Sequence, residues 1–210
     1  AFPNPVSVPA GQSYTSFPLS GVEVGSSELL ATAPGFGSAT GFQIKVLNPT
    51  LEFGQLDGSR SLSSVRDDFY LGFSVPGSPT PQSALVDTVV SLVLSDQNPP
   101  GLVSGIYDAA EGGNAVAEVV IPAGSYQSYP QMRYVERPLA TGSYSVTATV
   151  AGLVTAVSAV QTVTSPVLRL SSPWGSPAVL GKGLLSSTSL MYVERTVNGI
   201  AFASPEALTV

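Results

Sequence analysis

The chain has 210 residues, enough for one large or two small domains, and its composition is 43% hydrophobic but only 10% charged. The 21 glycines and 18 prolines would suit a linker, but the apolar share excludes a disordered chain, because disorder accompanies low hydrophobicity and high net charge. The net charge of −6, with eight Lys and Arg spread thinly, provides no basic surface for phosphates and excludes nucleic-acid binding.

Two residue types that much active-site chemistry requires are absent, since the sequence has no cysteine and no histidine. It therefore offers no disulfide, thiolate nucleophile, imidazole base or zinc site with the usual ligands. The longest apolar stretches, such as Val146–Val163, are interrupted by polar residues, so the sequence predicts no membrane span. The chain begins at Ala1 without Met or a signal peptide, and we expect either a mature product or a piece of a longer protein.

Short apolar runs separated by Gly, Pro, Ser, Asn and Asp predict strands and turns. Asp87–Leu94 is a predicted strand, and Val116–Ile121 leads into Pro-Ala-Gly, an order that suits a type II turn. Ser143–Val150 alternates over eight residues, as a half-buried strand does, and Val157–Val163 returns after an Ala-Gly-Leu turn. No window holds helical periodicity for more than two turns. The sequence predicts an all-β fold.

The sequence also repeats itself. Val8–Gly11 (VPAG) recurs as Ile121–Gly124 (IPAG), and Gly25–Phe53 aligns without gaps to Gly142–Leu170 at a shift of 117 residues. The aligned segments share a turn glycine, a junction proline and the alternating apolar residues that follow it. A register shared over such different features indicates a duplicated structural unit.

A period of about 117 residues matches the size of one immunoglobulin-like (Ig-like) β-sandwich. The position of the repeat within the chain predicts one complete unit flanked by two half-units. Residues 1–46 are then the C-terminal half of a unit, residues 47–165 are a complete sandwich, and residues 166–210 are the N-terminal half of a unit. Either half alone would expose an apolar face and unpaired strand edges. We therefore expect the halves to pair with each other, within one chain or between neighbouring chains.

Alternation along the predicted strands also identifies the side chains expected in the core. They are Ile44, Val46, Leu51, Phe53, Phe69, Leu71, Val89, Leu92, Val146, Ala148, Val150, Val163 and Leu168.

The order of these motifs carries a resemblance. The Ile121-Pro-Ala-Gly turn, a strand with an aromatic residue, the strand that starts at Gly142 and a junction led by Pro166 resemble the bacterial Ig-like repeats of adhesins, invasin-type proteins and other secreted surface proteins. The resemblance implies a structural or adhesive segment of an extracellular fibre or stalk. It also implies self-association with copies or neighbouring repeats and a glycan or host-surface ligand as a further partner. It supplies no catalytic residue and no cofactor.

Two other functions stay open at this point. Virus or phage coat and appendage proteins also favour sandwiches with little charge and no cysteine. A carbohydrate-binding module of a secreted enzyme would place aromatic side chains on one face.

Asp67 and Asp68, with Asp57 nearby, are weak candidates for calcium ligands, because hard cations bind carboxylate oxygens. The sequence around Asp57-Gly58 lacks the D-x-D-x-D-G spacing of a calcium loop, and a solvated acidic turn is the alternative. The sequence therefore predicts no obligatory metal site.

Trp174 is the only tryptophan and lies in a loop-like Ser-Ser-Pro-Trp-Gly-Ser-Pro segment. It could contact a sugar or a partner, or it could cover the end of its own core. Tyr134–Arg137 (YVER) recurs as Tyr192–Arg195, where Glu–Arg pairing across strands is expected.

The serines provide no candidate for nucleophilic catalysis. None lies in a G-x-S-x-G motif, and no histidine is present to activate one. The sequence predicts that the chain is not an enzyme.

Overall fold

The computed structural model describes residues 4–62, 64–153, 155–172, 182, 191–197 and 200–201. Within these ranges the chain is all-β, as predicted, and contains no helix. The strands are β1 (Gly25–Leu29), β2 (Phe42–Val46), β3 (Thr50–Gly54), β4 (Ser59–Ser61), β5 (Asp67–Ser74), β6 (Thr88–Asn98), β7 (Ile106–Tyr107), β8 (Glu118–Ile121), β9 (Arg133–Val135), β10 (Gly142–Thr149), β11 (Ala156–Val157), β12 (Gln161–Thr164), β13 (Val167–Ser171), β14 (Tyr192–Val197) and β15 (Ile200–Ala201).

Two sheets form the sandwich. One has the order β4-β12-β10-β6-β8, with β11 also paired to β10, and the other has the order β3-β5-β9-β7. The pairing of β4 with β12 is parallel, and the other pairings of these two sheets are antiparallel. Buried side chains from both sheets form one hydrophobic core.

The chain divides into two compact units. One contains Ala1–Pro49 with Val75–Ser78 and holds the hairpin β1–β2. The other contains Thr50–Ser74 with Pro79–Val210 and holds the sandwich and a separate sheet, β13-β14-β15. The predicted division at 1–46, 47–165 and 166–210 stays a prediction.

Most of the predicted core residues are buried or partly buried. The buried ones are Leu51, Phe69, Leu71, Leu92, Val146, Ala148 and Val163. The half-buried ones are Ile44, Val46, Phe53 and Val150.

Two of the core predictions are wrong. Val89 is 50% exposed, because strand alternation in β6 turns Val90 and Leu92 inward and Val89 outward. Leu168 is 53% exposed on β13, although its counterpart at the 117-residue shift, Leu51, is buried. The strand is formed as the pattern indicates, but this face of the strand is not buried.

The β1–β2 hairpin has the same register as the pairing of β10 with β12 at a shift of 117 residues. Gly25 lies opposite Val46, and Gly142 lies opposite Val163. The next two pairs along each ladder keep the same shift. The match ends there, because β1–β2 continues as one ladder to the pair of Leu29 and Phe42, whereas β10 pairs next with β11 in a register offset by one residue, with Thr147 opposite Val157. The two ladders therefore present equivalent faces over these three pairs only.

The turns within these hairpins also match. The N–H of Phe36 donates to the Ala33 carbonyl at 3.1 Å, and the N–H of Leu153 donates to the Val150 carbonyl at 3.1 Å. The third residue of each turn is a glycine with φ of +80°. A left-handed residue at this position favours glycine, which explains why both copies have one there.

The recurrent Pro-Ala-Gly segments form a second pair of matching turns. The N–H of Gln12 donates to Pro9 and the N–H of Ser125 donates to Pro122, both at 3.0 Å. The glycine of each turn has φ of +81°, as a type II turn requires at its third position, so the proline occupies the first position of the turn rather than the second.

The β13–β14 hairpin corresponds to β3–β5. Val167 lies opposite Thr196 as Thr50 lies opposite Ser74, and the four pairs that follow keep the same order. The shift is 117 residues on the first strand and 122 on the second, so more residues separate β13 from β14 than separate β3 from β5.

Gly142 provides a test of the close packing in the complete sandwich. Its φ is +154°, and a Cβ there would collide with the backbone oxygen of Asn98. We expect Gly142→Ala to lower the free energy of unfolding by more than about 2 kcal/mol in urea denaturation, because backbone must move. Gly25→Ala is the matched control at the equivalent position, where a Cβ meets no atom within 4 Å. Equal effects of the two substitutions would contradict this account.

Candidate functional site

A cleft of about 260 Å³ lies where β4, the loop after it and the start of β5 come together. It contains the three acidic residues that the sequence singles out, Asp57, Asp67 and Asp68, together with Arg60. Val197 of β14 also lines the cleft. The cleft is therefore the described region in which most of the predicted site residues meet.

Arg60 lines this cleft from the short strand β4, in which both Arg60 and the following Ser61 are buried. Its guanidinium donates hydrogen bonds to the Glu136 carbonyl at 3.0 Å, the Val65 carbonyl at 2.6 Å and the Tyr144 hydroxyl at 2.9 Å. These acceptors belong to different segments of the sandwich. Arg60 therefore connects β4 to both sheets through charge-assisted bonds.

Asp67 is the acidic partner of Arg60, but the pair is loose. Asp67 is 6% exposed, its Oδ2 atom lies 3.9 Å from Arg60 Nε, and that oxygen accepts no hydrogen bond. Burial raises the pKa of Asp67 to about 7, against the opposing attraction of Arg60. Desolvation outweighs the attraction, because the ion pair is too long for a strong charge-assisted bond. Asp67 therefore titrates close to neutral pH.

The three carboxylates do not form a calcium cage. Asp57 and Asp68 are exposed while Asp67 is buried, and among the described residues no group of three or more potential ligands is placed to hold a metal ion. The local charge that Asp67 faces is Arg60, which would repel a cation. The cleft therefore combines a solvated acidic rim with a buried ion pair.

A second ion pair accounts for the YVER motif. Arg66 contacts Glu136 at 2.7 Å and lies 3.8 Å from the centre of the Tyr107 ring, and the bond from Arg66 lowers the pKa of Glu136. In the second copy Glu194 pairs with Arg169 of the neighbouring strand at 3.3 Å. Each motif glutamate thus pairs with an arginine outside its own motif. Glu194 does so across the strand pair β13–β14, as expected, whereas Glu136 and Arg66 lie just beyond the paired ends of β9 and β5 and are largely covered.

The sequence analysis missed Arg60 and Tyr144. A single arginine between two serines carries no motif, and Tyr144 lies on a strand whose alternation indicates only burial. An arginine at a position predicted to face inward would have indicated such a network, because a buried guanidinium needs several hydrogen-bond acceptors. Trp174, the candidate partner contact, lies outside the described residues. No helix in the described part of the chain is long and apolar enough to cross a membrane.

The comparisons with known proteins assign no family. No protein-family model matches the sequence, and no curated protein matches it. Among solved structures the chain is similar to a glycosyl hydrolase family 2 member from Bacteroides cellulosilyticus, at a TM-score of 0.36 and 13% identity. The match covers 68% of this chain and 18% of that chain. A likeness this distant carries no conclusion about activity.

The raised pKa of Asp67 predicts that stability depends on pH. The folded state holds the Asp67 proton up to about pH 7, whereas the unfolded chain releases it near the ordinary aspartate pKa of 3.8. The stabilisation is therefore complete at low pH and is lost as the pH rises through 7. Between pH 5 and 8 we expect the free energy of unfolding to fall by about 2 kcal/mol, as measured by urea denaturation.

Asp67→Asn should remove most of this dependence, because the amide keeps the shape of the carboxyl and does not titrate. Asp68→Asn is the matched control, since it changes the exposed neighbour and should keep the wild-type dependence. A wild-type stability that rises from pH 5 to pH 8 would show that the Arg60–Asp67 attraction, not desolvation, dominates.

Removal of Arg60 should be costly. Arg60→Met leaves Asp67 without its counter-ion and the Tyr144 hydroxyl without its donor, so we expect a loss of about 3 kcal/mol in the free energy of unfolding at pH 8. Adding Asp67→Asn to this variant should recover part of the loss, because no buried charge then remains unpaired. Additive losses in the double variant would contradict a coupled pair.

Proposed function

We propose that the chain is a structural segment of an extracellular surface protein, in which Ig-like sandwich units follow one another along a fibre or stalk. The observation that carries this proposal is the shared register of the terminal hairpins and the sandwich hairpins. The β1–β2 hairpin repeats the pairing of β10 with β12, and β13–β14 repeats β3–β5. A chain in which the same sandwich design recurs is suited to a stalk, because repeated units that contact only their neighbours form an elongated array.

The placement of charge supports a structural role for the complete unit. Arg60, Asp67 and Tyr144 connect β4 to both sheets in a chain that has no cysteine for a disulfide. Such a network resists separation of the sheets, because opening them would leave buried polar groups without partners. A unit that transmits tension along a fibre needs this resistance.

The proposal gives the chain no catalytic role. The sequence lacks histidine and cysteine, and the buried carboxylate of the cleft, Asp67, faces Arg60. Adhesion to a glycan or host surface would be a property of the fibre as a whole.

Location at the cell surface can be tested with antibody raised against the purified chain. We expect intact cells of the source organism to bind the antibody as strongly as permeabilised cells do, and external protease to remove the signal. Immunogold electron microscopy should place the label along fibres that leave the envelope. A cytoplasmic protein that reacts only after permeabilisation is the control. Labelling of this chain only after permeabilisation would overturn the proposal.

A further inference from the structure

The β13–β14 hairpin has a largely apolar face, which also carries Arg195, and a more polar face. Cross-strand pairing places Leu170 opposite Val193, with Leu168 next along β13 on the same face. These three side chains are 68%, 45% and 53% exposed, respectively. The opposite face holds the ion pair between Arg169 and Glu194. Thr196 on that opposite face is buried and Glu194 is half-buried, and Arg195 lies opposite Leu168 on the face that carries the two leucines. The leucine face is therefore the less covered of the two.

The complete sandwich shows what covers such a face. In the equivalent hairpin β3–β5, the counterparts of these side chains are Leu51, Phe53 and Leu71. Leu51 and Leu71 are buried in the core and Phe53 packs against it. The same core contains Val146 of β10 and Val163 of β12, so the covering sheet is the one that contains β10 and β12.

The β1–β2 hairpin presents the matching surface. Its register places Leu29, Phe42, Ile44 and Val46 on one face, and the pairs that contain Ile44 and Val46 match pairs of β10 with β12. Phe42 is 68% exposed, and the other three are half-buried. In the complete sandwich the counterparts of Leu29 and Val46 are fully buried.

A groove in the complete sandwich specifies the contact further. About 390 Å³ in volume, it is lined by Leu51 and Phe53 on one side and by Ala156–Ala159 on the other. At the 117-residue shift, Leu168 and Leu170 replace the first two residues and Phe42 replaces Ala159. Leu170 is smaller than Phe53 and Phe42 is larger than Ala159, so the shift moves side-chain volume from one side of the groove to the other.

We infer that the apolar face of β13–β14 in one copy of the chain packs against the apolar face of β1–β2 in a second copy. The inference rests on the proposed function and specifies how successive subunits join. A second copy is the occupant because its β1–β2 hairpin repeats part of the pairing of β10 with β12, the strands that cover the equivalent face in the complete sandwich. The two faces differ, so the contact is heterologous and propagates from copy to copy unless a ring closes.

The test uses the full chain and two variants. Leu170→Asp disables the β13–β14 face and leaves β1–β2 intact, whereas Phe42→Asp does the reverse. Light scattering with size-exclusion chromatography should show concentration-dependent assembly of the wild type and the 21.5 kDa monomer for each variant alone. A 1:1 mixture of the variants should form a species of twice the monomer mass and no larger, because only one intact interface is available.

Val93→Asp is the matched control. Val93 is an apolar strand residue that is 60% exposed on the outer face of the complete sandwich, and its substitution should leave wild-type assembly unchanged. Thermal melting and circular dichroism check that every variant is folded. If an aspartate variant is not folded, Leu170→Ser and Phe42→Ser replace the pair, since both positions are exposed and serine adds no charge.

The outcomes separate this inference from the proposed function. A wild type that stays monomeric at millimolar concentration, or a Leu170→Asp chain that assembles like the wild type, overturns the contact between copies. Assembly that both variants lose but that the mixture does not restore also overturns it, because the two faces then do not meet each other. Surface labelling of intact cells is independent of these results, and a monomeric surface protein would keep the proposed function without this interface.

Discussion

The packing of two sheet faces against each other is the interaction on which the complete unit depends. Phe69 and Leu71 from one sheet and Tyr144 and Val146 from the other are fully buried, and each such side chain contributes roughly 1.5–3 kcal/mol relative to exposure. Alternate side chains of a strand lie on the same face, so the apolar side chains of that face are buried together when a second sheet covers it and are exposed together when none does. A hairpin with the right pattern therefore gains its stability only when a second sheet covers it.

Burial of the hydrophobic faces also explains the polar network. Arg60 lies at an inward position of β4, and its charge would be costly there without the carbonyl of Glu136, the carbonyl of Val65 and the Tyr144 hydroxyl. Asp67 gains less, because Arg60 is 3.9 Å away and one carboxylate oxygen accepts no bond. The network thus gives the Arg60 guanidinium three acceptors but leaves one Asp67 oxygen without a partner, and burial raises the pKa of Asp67 although a cation is nearby.

Much of the fold could be predicted from alternation and turn residues, since both are local. The strand predicted at Ser143–Val150 is β10, and the repeated glycines mark matching turns. The burial of individual faces could not be predicted so well. Val89 lies outward because neighbouring apolar residues in β6 fall on opposite faces, and Leu168 has a buried equivalent but is itself exposed. Of the cleft, only the acidic residues could be predicted from the sequence. The bond from Arg60 to Tyr144 could not, because the two residues are far apart in the chain and nothing near Arg60 indicates its acceptor.

The hairpins show which part of their structure is set locally and which part depends on distant segments of the chain. The turn at Ala33–Phe36 and its equivalent at Val150–Leu153 use only local bonds and a glycine of positive φ, so each copy can set its hairpin register without the rest of a sandwich. The cover for the hairpin face is not local and has to come from a separate sheet. In the complete unit β3 and β5 supply it from the same chain. The geometry of a hairpin face is therefore set locally, whereas its cover depends on a separate sheet.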